Sequence, residues 1–227
     1  MREIHQVESD KITVIKHYLL GVNAKKNLGK MYTNRYIVPV SMKEEMLKQS
    51  LTLFNAYGYE NVGIQRIIDS VGVKKPTLYH YFGSKNGLLK HLLDDNFGKL
   101  KIELTAKSSY SGHLLNTLEE TVKVHFRFAQ ANKDFYSFYL NVLSASKNSE
   151  VYTTAKPDID WFYDNLTQIF RDSVPEHGNI KGKERQLAIT FLGMIHSYIQ
   201  MYLHDEMALD GNVYFLVTKQ FMYGIFA

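Results

Sequence analysis

The 227-residue chain has no cysteine. That excludes disulfides, thiolate nucleophiles and cysteine-ligated metals, and it suits a cytoplasmic protein. Four prolines and 14 glycines are few chain breakers for this length, which favours helices. Alternating strand runs are missing, and so is any internal repeat. A long uninterrupted apolar run is missing too. Residues 186–204 hold no Asp, Glu, Lys or Arg, but Gln186, Thr190, His196, Ser197 and Gln200 interrupt them. This falls short of the ~20 apolar residues of a membrane span and suits a helix buried on two sides in a water-soluble protein. No signal peptide is expected at the N-terminus. Nucleophile–base pairs, a Gly-rich phosphate loop and a metal-ligand cluster are also lacking, so neither an enzyme nor a cofactor is expected. His196 and His204 stand eight apart with no carboxylate placed among them, too little for a metal site.

What is present is a core's worth of apolar residues, 45%, and a formal net charge of +4. The charge is uneven. Residues 1–41 carry Arg2, Lys11, Lys16, Lys25, Lys26, Lys30 and Arg35 against Glu3, Glu8 and Asp10, which is the whole excess. Any nucleic-acid contact therefore depends on a local patch. Two readings of residues 1–41 stand: a basic arm lying on phosphates, or a loosely docked or non-native leader.

From Ser41 the signals are local and strong. Ser41-Met42-Lys43-Glu44 has the form of a capping box, and the helix after it carries Leu47, Leu51 and Phe54 and stops at Gly58. Ile64, Ile67, Ile68 and Val71 predict a short helix ended by Gly72. Pro76 sits at the opening of a second short helix, with Leu78 and Phe82 on its inner face. Ser84 caps a third. Short helix, tight turn, short helix is a geometry that enters a DNA groove. So short a helix is not stable alone and must be clamped by Leu78 and Phe82. Its outer face then offers Tyr79 and His80 for base edges, with Lys74, Lys75 and Lys85 for phosphates.

Phe54, Tyr57-Gly58-Tyr59, Ile64, Ile67, Gly72-Val73, Thr77-Leu78-Tyr79, Tyr81-Phe82, Ser84-Lys85 and Leu88 together resemble the DNA-binding domain of the tetracycline-repressor (TetR) family. The match covers roughly residues 46–92. The resemblance implies a bacterial homodimeric regulator, usually a repressor, released from its operator by a small ligand bound in a variable C-terminal half. It also implies DNA contacts by Thr77, Tyr79 and His80, a phosphate contact by Lys85, and backbone or base contacts by Gln65 and Arg66. Three residues depart from the family pattern: Gly63 and Lys74 stand where hydroxyl caps are usual, and Ile68 replaces an alanine.

The expected organisation is all-α: an extension over 1–41, a three-helix DNA-binding domain over 42–97, and a helical ligand-binding and dimerisation domain over 98–227. In the last part Leu114, Leu118, Val122 and Phe126 make one helical stripe, and Phe135, Phe138, Tyr139 and Val142 another. Pro157-Asp158 is expected to open a further helix. His125, Tyr139, Trp161 and His196 are polar or aromatic residues on otherwise apolar helices, candidates to line a pocket for a flat or greasy molecule. In the last two helices Leu187, Phe191, Met194, Ile195, Tyr198 and Met201 are expected to face the core. Leu192, Ile199, Leu203, Val217 and Phe221 are expected to meet a second subunit, two helices from each. The predicted partners are a double-stranded DNA operator, a second copy of the chain and an unidentified effector, with no membrane. An architectural DNA-binding dimer without a small-molecule switch remains the alternative.

Overall fold

The computed structural model describes residues 41–224, and the expectations for residues 1–40 lie outside that span. Nine α-helices and one short 3-10 turn make up the described part, with no strand among the described residues. They are α1 (Met42–Tyr57), α2 (Ile64–Val71), α3 (Lys75–Phe82), α4 (Lys85–Lys107), α5 (Leu114–Ala131), α6 (Lys133–Leu143), α7 (Glu150–Asp172), the turn Gly178–Ile180, α8 (Glu184–Leu203) and α9 (Gly211–Tyr223).

The local signals act as the sequence predicts. The Ser41 hydroxyl accepts from the Glu44 N–H, and the Glu44 carboxylate accepts from the Ser41 N–H at 2.9 Å. Gly72 ends α2 in the left-handed region at φ 73°, where a side chain would be strained. The Ser84 hydroxyl accepts from the Gly87 N–H and starts α4.

Helix α4 spans about 34 Å at 1.5 Å per residue. Its first half closes the three-helix unit through Leu88, Leu89 and Leu92. Its second half enters the C-terminal core, where Phe97 meets Phe135, Tyr139 and Phe162 edge-on at 5.0, 4.9 and 5.4 Å. The boundary expected near residue 97 thus falls inside one continuous helix. Around that helix, α5, α6, α7 and α8 form a bundle filled with aromatic side chains, among them Phe126, Tyr136, Phe170 and Phe191.

Two expectations need correcting. Pro157 does not open a helix but lies inside α7, which starts seven residues earlier at Glu150. The cause is the Ser149 hydroxyl, which accepts from the Tyr152 N–H and caps the chain ahead of the proline. The second concerns α8. Residues 192, 199 and 203 do not form a separate partner-facing side. Leu192 and Ile199 are buried in the same broad arc as Ala188, Phe191, Ile195 and His196, and Leu203 is half-buried. Met201, expected in the core, is exposed. In α9, Val217 is buried in the chain's own core, and Phe221 stacks on Phe191 and Phe170 at 4.7 and 5.8 Å. The buried residues of α8 form one arc and not two faces.

Candidate nucleic-acid interface

The interface is built from α2, α3 and the first turn of α4. Each of the two short helices has eight residues, and neither begins with a side-chain cap: Gly63 and Lys74 occupy the cap positions in extended backbone without a capping bond. What holds them is burial. Ile67 and Ile68 pin α2, while Leu78 and Phe82 pin α3, all four in one core with Met46, Phe54 and Leu88.

With its inner face fixed, α3 turns Lys75, Tyr79, His80 and Tyr81 to the outside, and Thr77 is half-buried. Lys74 precedes them and is exposed as well. The Lys75 ammonium lies 5.9 Å from the Tyr79 ring centre, and His80 and Tyr81 meet edge-on at 5.3 Å. Tyr81 belongs to the exposed set although the sequence reading assigned it no contact. On α2, Gln65 and Arg66 are also exposed but engaged within the chain. Gln65 donates to the Asp69 carboxylate at 2.8 Å, and the Arg66 guanidinium stacks on the Tyr57 ring at 3.5 Å. Such stacking leaves the guanidinium edge free to donate.

Lys85, expected to contact phosphate, is also engaged within the chain. It is half-buried, its ammonium donates to the Tyr59 carbonyl at 2.7 Å, and it sits 3.9 Å from the Tyr59 ring centre. Desolvation lowers its pKa, against the pull of Glu60 and Glu150. The Tyr59 hydroxyl in turn donates to the Glu150 carboxylate at 2.8 Å, at the start of α7. Burial, then the Glu150 bond, raises the Tyr59 pKa and keeps the phenol protonated. Asn86 adds a second tie, donating to Thr154 at 2.9 Å. The recognition unit and α7 are therefore joined through Lys85, Tyr59 and Asn86.

Gly87 is a further constrained position, absent from the expectations above. A Cβ there would lie 1.9 Å from the Phe82 carbonyl oxygen. The first turn of α4 packs so tightly on the end of α3 that only glycine fits. The available signal was a glycine inside a helix, where it is disfavoured unless space demands it.

Of the expected ligand residues, the structure brings three together. His125, Tyr139 and His196 are buried from three different helices, with Tyr136 as a fourth member. His125 Nδ1 and the Tyr136 hydroxyl share a hydrogen bond of 3.1 Å. The His196 ring meets Tyr139 at 5.3 Å and His125 at 6.4 Å. Burial pushes the His125 imidazole down to about 3, with help from His196, and that of His196 down to about 4. Both are neutral near pH 7, and burial keeps the tyrosines protonated. Tyr139 Oη and His196 Nε2 have no hydrogen-bond partner within the described residues. Trp161 stands apart: it is half-buried and carries Lys101 over its ring at 5.2 Å.

Residues 46–92 match the TetR_N family model, described as bacterial regulatory proteins of the tetR family. The chain is 27% identical over 77 residues to IcaR of Staphylococcus aureus, a negative transcriptional regulator of the biofilm operon icaADBC; the alignment covers 34% of this chain and 41% of IcaR. It is 33% identical over 61 residues to the transcriptional repressor BdcR of Escherichia coli, covering 27% of this chain and 31% of BdcR. The chain thus spans less than half the length of these curated relatives. The fold extends further than the sequence likeness. A TetR-family regulator of Thermus thermophilus, PfmR, superposes with a TM-score of 0.62 at 21% identity, over 79% of this chain and 98% of PfmR.

Proposed function

We propose that this chain, which belongs to the TetR family, is a sequence-specific DNA-binding repressor that works as a homodimer on a palindromic operator. The observation that carries the proposal is the division of labour within α3. Leu78 and Phe82 are buried, while Lys75, Tyr79 and His80 are presented outward on a rigid helix. Tyr79 and His80 meet base edges. Lys74, Lys75 and Thr77 hold phosphates beside them, and Gln65 and Arg66 contact the backbone from α2. Lys85 joins the phosphate contacts with donors that the Tyr59 carbonyl does not use. Residues 42–97 read DNA, and residues 98–227 pair and switch the reader, with α4 common to both.

Pairing runs through the last two helices, by the surface they leave open. Ile189 and Met201 on α8 and Phe215, Leu216 and Tyr223 on α9 are exposed apolar side chains. A second copy would cover them and set two α3 helices about one DNA turn (~34 Å) apart. The effector site lies at His125, Tyr139 and His196, where an apolar molecule with one donor and one acceptor would satisfy the two unpartnered atoms. Those atoms support a ligand-responsive protein over a purely architectural dimer.

In vitro selection of DNA sites from a random pool tests the reading. The expected product is a palindrome whose affinity falls steeply with salt. Selection without any consensus, or binding indifferent to salt, would overturn it.

A further inference from the structure

A cavity lies away from the aromatic core. It has a volume of about 360 Å³ and opens where the α1–α2 loop faces the α6–α7 connection. Phe54, Phe138, Val142 and Val151 make its apolar walls, and Phe54 and Phe138 are in ring contact at 5.9 Å. Its polar lining is unbalanced. Among the described residues, Glu60 is the one charged side chain in the lining, and it is exposed. The Lys85 ammonium lies over the Tyr59 ring and donates to the Tyr59 carbonyl, within the pull of Glu60 and Glu150. Asn55 also lines the cavity. Its amide donates to the Asp134 carbonyl at 2.8 Å, and its Oδ1 is buried with no donor to meet it among the described residues. A groove with an apolar wall and a carboxylate at its rim complements an apolar body that carries a positive charge.

We infer that this groove is a binding site for a small organic cation, an amine on an aromatic or aliphatic body, separate from the effector site in the core. The apolar body lies against Phe54, Phe138 and Val142, and the ammonium pairs with the exposed Glu60 carboxylate. The groove shares Tyr59 with the tie to Glu150, so an occupant touches a residue that joins α4 to α7. Binding itself is independent of the DNA-binding proposal and is tested without DNA.

The test uses the full chain with labelled valine methyls, titrated with tryptamine and, separately, with indole-3-acetate. Tryptamine should shift the Val142 and Val151 methyls saturably. Indole-3-acetate should bind about tenfold more weakly, the scale of reversing one charge beside a partly exposed carboxylate. Ala145→Phe, which fills the groove, should abolish the tryptamine response. Because that variant could misfold, Glu60→Gln supplies an independent arm: it should narrow the difference between amine and acid. Equal affinity for both probes, no shift with either, or an amine response untouched by both variants would overturn the inference. So would through-space signals from residues 1–40 at Val142 and Val151, which would assign the groove to the chain's own N-terminal segment.

Discussion

Helix α3 buries Leu78 and Phe82 and exposes Lys75, Tyr79, His80 and Tyr81, whereas α5 buries ten of its 18 residues and holds His125 out of water. The first helix is a thin layer held by two anchors. The second is enclosed by neighbours on several sides. In α3 a polar or aromatic side chain is displayed because few residues are needed to hold the helix. In the bundle the same residue types are sealed, and burial changes their chemistry: His80 is exposed, while His125 is held neutral. Display suits a surface that reads another molecule. Sealing suits a core that one bound molecule can disturb.

The sharpest way to break the comparison is to remove an anchor. Leu78→Ala should cost about 2–5 kcal/mol, because a fully buried leucine leaves a cavity under a helix that cannot stand alone. Urea denaturation and operator binding should both register the loss; wild-type stability in this variant would show that α3 is held by something else. On the displayed face, Tyr79→Ala should leave stability almost unchanged and lower discrimination between operator and mismatched sites by about 1–3 kcal/mol. Lys74→Ala should instead weaken all sequences alike and reduce the salt slope by about one unit. If fluorescence anisotropy finds the same pattern for both, the separate roles of base reader and phosphate anchor are wrong.

The sealed region gives a pH signature. The folded pKa of His196 is about 4 and that of His125 about 3, both below the ordinary value of 6.5. The unfolded chain therefore binds more protons in acid, and the folded form loses stability as pH falls. The loss begins near pH 6.5 and continues to about 4 for His196 and about 3 for His125, at up to about 1.4 kcal/mol per pH unit for each histidine. Denaturation midpoints at pH 7.5 and 5.5 should show it, and His196→Phe should flatten the slope. A slope unchanged in that variant would mean that His196 does not carry the effect. The smallest effect joins the two regions. Tyr59→Phe removes one hydrogen bond to Glu150 and should cost about 0.5–1.5 kcal/mol. The Lys85 bond to the backbone carbonyl survives this change, so the lost tie to Glu150 alone should alter operator affinity; affinity identical to wild type would leave the tie a purely structural contact.

Much of the displayed region is legible without coordinates. Ser41 with Glu44, Gly58, Gly72, Pro76 and Ser84 act on their own neighbours within four residues, and each marks a helix end where expected. The outward direction of Tyr79 and His80 follows from Leu78 and Phe82 by helical spacing alone. Lys85 shows the limit. Its place at the start of α4 is a local fact, but its bond to Tyr59 links residues 26 apart, and no periodicity records that. Pro157 fails for a related reason: a proline reads as a helix start, yet the Ser149 cap and the packing of α7 carry the helix through it. Leu192, Ile199 and Val217 show that an apolar residue does not state which apolar surface it will meet.

Local chemistry in the chain was enough for the all-α class, the helix ends of residues 41–85 and the identity of the displayed face, because caps, glycines and 3.6-residue spacing act over one or two turns. Tertiary packing settled which arc of α8 is buried, the meeting of His125, Tyr139 and His196, the need for glycine at position 87, and the capture of Lys85 by Tyr59. Those outcomes depend on which helices lie side by side, and side chains far apart in sequence acquire their burial, their protonation and their partners only when the helices pack.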